Sequence, residues 1–267
     1  MRRLFAGLLI FMTALSVAPS TIAQPHWRPS MQDSFDWQYN QPFDFRRLTS
    51  TINLDAFDAD PAFLESLRAR GVRPICYVNV GAWEDWRPDK HTFPKSIIGK
   101  AYVGWEGERW LDIRRIKTVL PIMRARFKLC REKGFFAIEV DNIDNFQQDT
   151  GFKITRAHQL RYNRALAKEA HGVGLAIAMK NAPEFAAELA DVYDWVIAED
   201  CFKWKWCGMM TPFILRGKPV VTIEYPENGR KPLSHCEEAR RLGIQIVVKR
   251  RRLEHRPKNL NRRGFPY

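Results

Sequence analysis

Apolar residues recur along this chain in two alternating rhythms. Short β-rich runs occupy 35–39, 51–54, 74–80, 135–140, 174–178, 195–198, 219–223 and 244–248. Between them, 61–70, 113–133, 155–171, 183–190 and 236–242 carry apolar residues at helical spacing. Asp60-Pro61 and Ala182-Pro183 read as helix starts, and Gly71, Gly134, Gly172 and Gly243 fall just past helix ends. Strand followed by helix, repeated, is the pattern of parallel strands joined by crossover helices. Eight such strands predict an α/β fold, a closed (β/α)8 TIM barrel. An open doubly wound sheet is the competing architecture, but no Gly-rich phosphate turn follows the first strand.

The N-terminus stands outside this rhythm. Arg2-Arg3, an apolar run over 4–17 and small residues up to Ala23 form the three zones of a secretory signal peptide. The apolar stretch is shorter than the roughly 20 residues of a membrane span. The expected division is therefore a signal peptide over 1–23, one barrel domain over 24–248 and a basic tail over 249–267. A barrel of this kind takes about 250 residues, and no linker or low-complexity block divides the chain. Export to the periplasm or the exterior follows.

Charge changes the picture only at the ends. Of the net +13, Arg2 and Arg3 carry +2 and residues 249–267 carry +7, which leaves +4 for the body. A body so mildly basic argues against nucleic acid as a partner. The tail reads either as solvated chain or as a contact to an anionic envelope surface, and a monomer is expected. The five cysteines require at least one free thiol. Cys201 and Cys207 are close enough in sequence to bridge a short loop, whereas Cys76, Cys130 and Cys236 lie in or beside apolar stretches and read as buried, inert thiols.

In a barrel, chemistry collects at the C-terminal strand ends. There the sequence places Gln38, Asp55, Asn79, Asp141 with Asn142, Lys180 with Asn181, Glu199, and Glu224 with Tyr225. The segment 76–89 mixes aromatic and charged residues, among them Tyr77, Glu84, Arg87 and Asp89, and 105–114 repeats that character with Trp110 and Asp112. Aromatic faces stack on sugars while carboxylates accept from hydroxyls or amines. Glycoside hydrolysis needs one carboxyl to protonate the leaving oxygen and one carboxylate to attack or activate water. Asp141 and Glu199 form the best catalytic pair, with Glu139 on the same strand face as Asp141. Lys180 would hold Asp141 ionised as nucleophile, and an apolar setting beside Trp195 or Phe202 would raise the pKa of Glu199 as acid/base; the reverse assignment stays open. The six histidines show no pair at metal-ligand spacing, so no metal and no cofactor is expected. A Gly-x-Ser-x-Gly elbow is missing from the sequence.

These motifs together resemble glycoside hydrolase family 114, the endo-α-1,4-polygalactosaminidases. The resemblance is carried by Trp37-Gln38-Tyr39, Asp55-Ala56-Phe57-Asp58, the 76–89 loop, Gly104-Trp105-Glu106, Trp110-Leu111-Asp112-Ile113-Arg114, Glu139-Val140-Asp141-Asn142, Gly151-Phe152, Lys180-Asn181, Glu199-Asp200-Cys201 and Glu224-Tyr225. It implies a TIM barrel, Asp141 and Glu199 as catalytic pair, a Cys201–Cys207 bridge, and an α-1,4-linked galactosamine-containing polysaccharide as substrate and partner, cut within the chain. The sequence departs from the family at Val140, where Pro often stands, and at Asp200, where Gln often stands. A second carboxylate beside Glu199 would raise the apparent pKa of that pair or bind a substrate amine. The basic tail looks unlike the family's usual ending. Cationic sugar units suit a mouth more acidic than the body around it. Two other readings remain: a glycosidase of neutral α-galactosides, and a non-catalytic barrel that binds envelope polysaccharide.

Overall fold

The computed structural model describes residues 26–40, 43, 49–227, 231–251 and 258–259. The expected signal peptide and most of the expected tail lie outside these residues. In chain order the elements are β1 (Phe35–Trp37), β2 (Thr51–Asp55), α1 (Pro61–Ala69), β3 (Arg73–Asn79), β4 (Ala82–Glu84), β5 (Ile98–Ala101), β6 (Glu108–Leu111), α2 (Ile116–Lys133) and β7 (Ala137–Asp141). They continue with α3 (Arg156–Gly172), β8 (Ala176–Lys180), α4 (Ala186–Leu189), β9 (Trp195–Glu199), α5 (Thr211–Ile214), β10 (Val220–Glu224), α6 (Cys236–Leu242), β11 (Gln245–Val248) and β12 (Lys258–Asn259).

The eight expected runs become β1, β2, β3, β7, β8, β9, β10 and β11, hydrogen-bonded in that order and parallel throughout. The fold is a (β/α)8 barrel. Side chains draw its two edges together: Lys249 Nζ binds Asp36 Oδ1 at 2.7 Å and the Trp37 carbonyl, and Gln245 donates to the Met31 carbonyl at 2.7 Å. Lys249, expected at the start of a solvated tail, is thus 1% exposed and part of the barrel wall.

Side-chain alternation along each strand builds two cores. Ile52, Leu54, Val78, Ile138, Val140, Ile177, Met179, Val196 and Ala198 face outward and pack beneath the helices. Phe35, Trp37, Ile75, Ala137, Ala176, Ala178, Trp195, Ile197, Val221, Ile223 and Val247 fill the interior. Helix punctuation largely agrees with the sequence: Asp60 caps α1 through the N–H groups of Ala62 and Phe63, and Gly134 ends α2 at φ 91°. The chain after α3 differs, because the helix runs through Gly172 and Gly174 takes the positive φ. Pro183 opens a 3-10 turn before α4 rather than one continuous helix.

Two features were not anticipated. Residues 82–111 contain an antiparallel sheet, ordered β4-β6-β5, inserted between β3 and α2. Cys76 and Cys130, read as inert thiols, form a disulfide with Cα atoms 6.0 Å apart. Cys76 faces outward on β3 and Cys130 faces the sheet from α2, so helix packing brings together residues 54 positions apart. Cys201 and Cys207 are bonded as well, leaving Cys236 as the free thiol.

Candidate active site

Strand phase decides which strand-end residues enter the barrel mouth. Asp141 continues the inward series Ala137, Glu139; Lys180 continues Ala176, Ala178; Glu199 continues Trp195, Ile197. These three side chains meet. Around them an open cleft is lined by Tyr77, Tyr102, Trp105, Glu108, Asp141, Asn142, Ile143, Asp144, Lys180, Asn181 and Glu199. Gly81 lets the β3 and β7 loops close on one another, since a Cβ there would stand 1.8 Å from the Asn142 carbonyl.

The cleft floor is a buried polar network. Glu139, 0% exposed, accepts from Lys180 Nζ (3.0 Å) at Oε1 and from Asn53 Nδ2 (2.6 Å), Trp37 Nε1 (3.2 Å) and the Tyr39 hydroxyl at Oε2. Lys180 extends upward from there, with Nζ 3.7 Å from Asp141 Oδ1 and 3.5 Å from Glu199 Oε2. Burial alone would favour neutral lysine, but the charges of Asp141, Glu199 and Glu139 hold its pKa well above the ordinary value.

Asp141 accepts from the Tyr77 hydroxyl at 3.0 Å and from the Asn142 N–H at 3.0 Å. Glu199 accepts from the Tyr225 hydroxyl at Oε1, and its backbone N–H donates to Asn181 Oδ1 at 2.8 Å. Here the expectation of a raised Glu199 pKa is overturned. Burial does push it up, but the Lys180 ammonium and the hydrogen bonds from Tyr225, Lys180 and Asn181 outweigh burial and hold it below the ordinary value. The cation beside Glu199 decides the sign.

Several expected substrate-binding residues instead support the walls. Arg87 makes a two-pronged bond to Asp55 at 2.7 and 2.6 Å and reaches Glu84 at 2.8 Å. Arg126, from α2, grips Asp89 through two bonds of 2.7 and 2.9 Å and donates to the Asn79 carbonyl at 2.9 Å. Asp55, Glu84, Arg87 and Asp89 are therefore paired with cations under the inserted loop and do not line the cleft. Asp112 is held by Arg114. Trp110 is buried, with the Tyr102 ring 4.1 Å from its own. Glu224 and Gln38 are one step out of phase with the inward residues: Glu224 accepts from the Phe202 N–H and Thr222 hydroxyl, and Gln38 donates to Asp36. Asp200, expected either to raise the pKa of the pair or to bind a substrate amine, does not line the cleft; its Oδ2 accepts from Lys203 and Arg251.

The cleft also contains Tyr102, Trp105, Glu108 and Asp144, which strand-end reasoning missed. Trp105 is 59% exposed at the rim. Glu108 faces Glu84 across the β4–β6 ladder and accepts from Asn79 Nδ2 at 2.9 Å. Burial, reinforced by Glu84 and Asp141, pushes its pKa up to about 7. Burial likewise raises Asp144. The signal for Glu108 was the alternation Glu108-x-Trp110-x-Asp112, a strand pattern. Four carboxyl groups and one ammonium thus line the cleft of a chain whose net charge is +13.

Two groups of side chains among the described residues have metal-ligand types close together. Cys201, Cys207 and Glu224 form one, but its cysteines are bonded to each other. The other is His26, His171 and Asp194, distant in sequence and so invisible to a spacing search. Its imidazoles stack at 4.5 Å, and Arg28 holds the Asp194 carboxylate at 2.9 Å. That arrangement is an ion-paired clamp before β9, at the opposite end of the strand from Glu199. No helix among the described residues is long and apolar enough to cross a membrane.

Residues 16–262 match the sequence profile of glycoside-hydrolase family GH114. The match runs past Val248 into the basic segment that the motifs had set apart from the family. The crystal structure of Aspergillus fumigatus Ega3 in complex with galactosamine is similar, with a TM-score of 0.79 and 27% identity, over 90% of this chain and 100% of that one. The glycoside hydrolase domain of PelA from Pseudomonas aeruginosa shares the fold, with a TM-score of 0.64 and 19% identity, over 85% of this chain and 97% of that one. No curated protein sequence matches the chain.

Proposed function

Because this chain belongs to glycoside hydrolase family GH114, we propose that it cleaves α-1,4-galactosaminidic bonds within a galactosamine-containing polysaccharide, with Asp141 and Glu199 as its two catalytic carboxylates. The observation that carries this reading is the convergence of both carboxylates on Lys180 Nζ, at 3.7 and 3.5 Å, in a cleft with an exposed Trp105 at its rim. One carboxyl protonates the leaving oxygen and the other attacks the anomeric carbon or activates water. Tyr77 and Tyr225 fix the two groups by donating to them.

The sugar class follows from charge. A deacetylated galactosamine unit carries an ammonium group, and the carboxyl-rich cleft of an otherwise basic chain attracts it. Ega3, with galactosamine bound in its crystal structure, supports the same class. Asn142 and Asn181 supply further polar contacts at the cleft wall. Export through the 1–23 segment is part of the proposal, supported by two disulfides, which persist in oxidising compartments.

The test is hydrolysis of partly deacetylated α-1,4-galactosaminan by the mature protein, beside Asp141→Asn and Glu199→Gln, with products sized by mass spectrometry. The expected result is short oligomers from the wild type and a loss of at least about a hundredfold in each variant. Binding of the polymer without cleavage, or cleavage of neutral galactans alone, overturns the reading.

A further inference from the structure

Asp200 follows Glu199 with its backbone in the left-handed region, at φ 51°. The side chain therefore leaves the cleft and enters the wall behind Tyr225. There its Oδ1 accepts from the Tyr225 N–H at 3.1 Å, and its Oδ2 accepts from Lys203 Nζ at 3.1 Å and Arg251 Nη2 at 3.0 Å. The Arg251 guanidinium also covers the Tyr225 ring, 4.8 Å from its centroid, and its backbone N–H donates to Glu227 Oε1 at 2.7 Å. Tyr225 is thus held at its backbone by Asp200 and on its ring face by Arg251. Its hydroxyl goes to Glu199 Oε1.

Stability explains this arrangement poorly. The Arg251 side chain is 59% exposed, and pairs with so exposed a partner contribute little to stability. Lys203 already compensates the buried Asp200 charge. What Arg251 adds is a planar cation able to bond the carboxylate and lie on the aromatic ring at once, which a lysine does less well. We infer that Arg251, from the basic segment after β11, is a positioning residue for Glu199, acting through Asp200 and the Tyr225 ring. The inference rests on the reading of Glu199 as a catalytic carboxylate. Without Arg251 the Tyr225 ring loses its cover, the hydroxyl loses its fixed direction, and Glu199 loses a donor that favours its ionised form.

The experiment compares wild type, Arg251→Ala, Arg251→Lys, Tyr225→Phe and the Arg251→Ala/Tyr225→Phe double variant on galactosaminan. It measures kcat, KM, the pH profile and Tm. Arg251→Ala is expected to lower kcat by about ten- to a hundredfold, with KM within about twofold and Tm within about 2 °C. The limb of the profile set by Glu199 moves to higher pH, as it does in Tyr225→Phe. Arg251→Lys recovers part of the loss, and the double variant is no slower than Tyr225→Phe. An active wild type beside an unchanged Arg251→Ala overturns this inference alone. So do losses that multiply in the double variant, or a fall in kcat that merely tracks a fall in Tm. A wild type inert on the polymer overturns the inference together with the proposed function.

Discussion

Lys180 Nζ donates to Glu139 Oε1 across 3.0 Å in the barrel floor, where the two side chains are 4% and 0% exposed. Breaking a buried pair by removing one partner costs about 3–5 kcal/mol, because the other charge stays buried. Lys180→Met is therefore expected to lower unfolding free energy by about that amount, measured in urea. Lys180 is also the strongest influence holding Glu199 ionised against burial. The same variant should shift the Glu199 limb of the rate profile to higher pH; an unchanged profile would separate Lys180 from the chemistry.

Glu108 makes the cleft's stability depend on pH. Its folded pKa of about 7 lies above the ordinary 4.5, so between those values the folded state binds more protons than the unfolded chain. By linkage, this group's contribution falls as pH rises through that window, with a slope of at most about 1.4 kcal/mol per pH unit. Glu108→Gln should remove the slope, leaving the variant more stable relative to wild type at pH 8 than at pH 5. Parallel denaturation curves for the two proteins across that range would refute the assignment.

The two disulfides should contribute unequally. Chain entropy assigns about 4 kcal/mol to a bridge closing 54 residues and about 2 kcal/mol to one closing 6. Cys76→Ala/Cys130→Ala should consequently lose more stability than Cys201→Ala/Cys207→Ala in chemical denaturation. The short bridge ties the loop after Glu199, and its loss should appear in kcat more than in Tm. The reverse ranking would place the main constraint in the 201–207 loop.

Trp105, 59% exposed and lining the cleft, is positioned to stack on a sugar ring. Stacking of about 0.5–1.5 kcal/mol corresponds to a rise in KM of about two- to twelvefold in Trp105→Ala, with kcat nearly unchanged. A fall in kcat without a change in KM would instead assign Trp105 to the reacting centre.

How much of the site was legible depended on strand phase. Asp141, Lys180 and Glu199 could be read directly, because each ends an apolar run in step with small or aromatic inward residues. Glu224 and Gln38 also end runs, but one step out of phase, and counting by two from Val221 or Phe35 would have removed them from the cleft. Asp55 and Arg87 were visible as charged residues. Their partnership was not, since it needs the loop after β4 folded back over β2. Arg126 was hidden more deeply, as one basic residue among many on α2.

Local periodicity by itself determined the order of the eight barrel strands, the barrel class and the strand-end triad, because side-chain alternation and helix punctuation act over a few residues. The Cys76–Cys130 bridge, the Glu108 carboxyl in the mouth, the burial of Lys249 and the ionised state of Glu199 were decided by tertiary structure. Each depends on a partner on another element: Cys130 on α2, Asn79 on β3, Asp36 on β1 and Lys180 on β8. Electrostatic sign in a buried site is set by distances through space, and barrel closure, which brings distant segments within a few ångströms, is what fixes those distances.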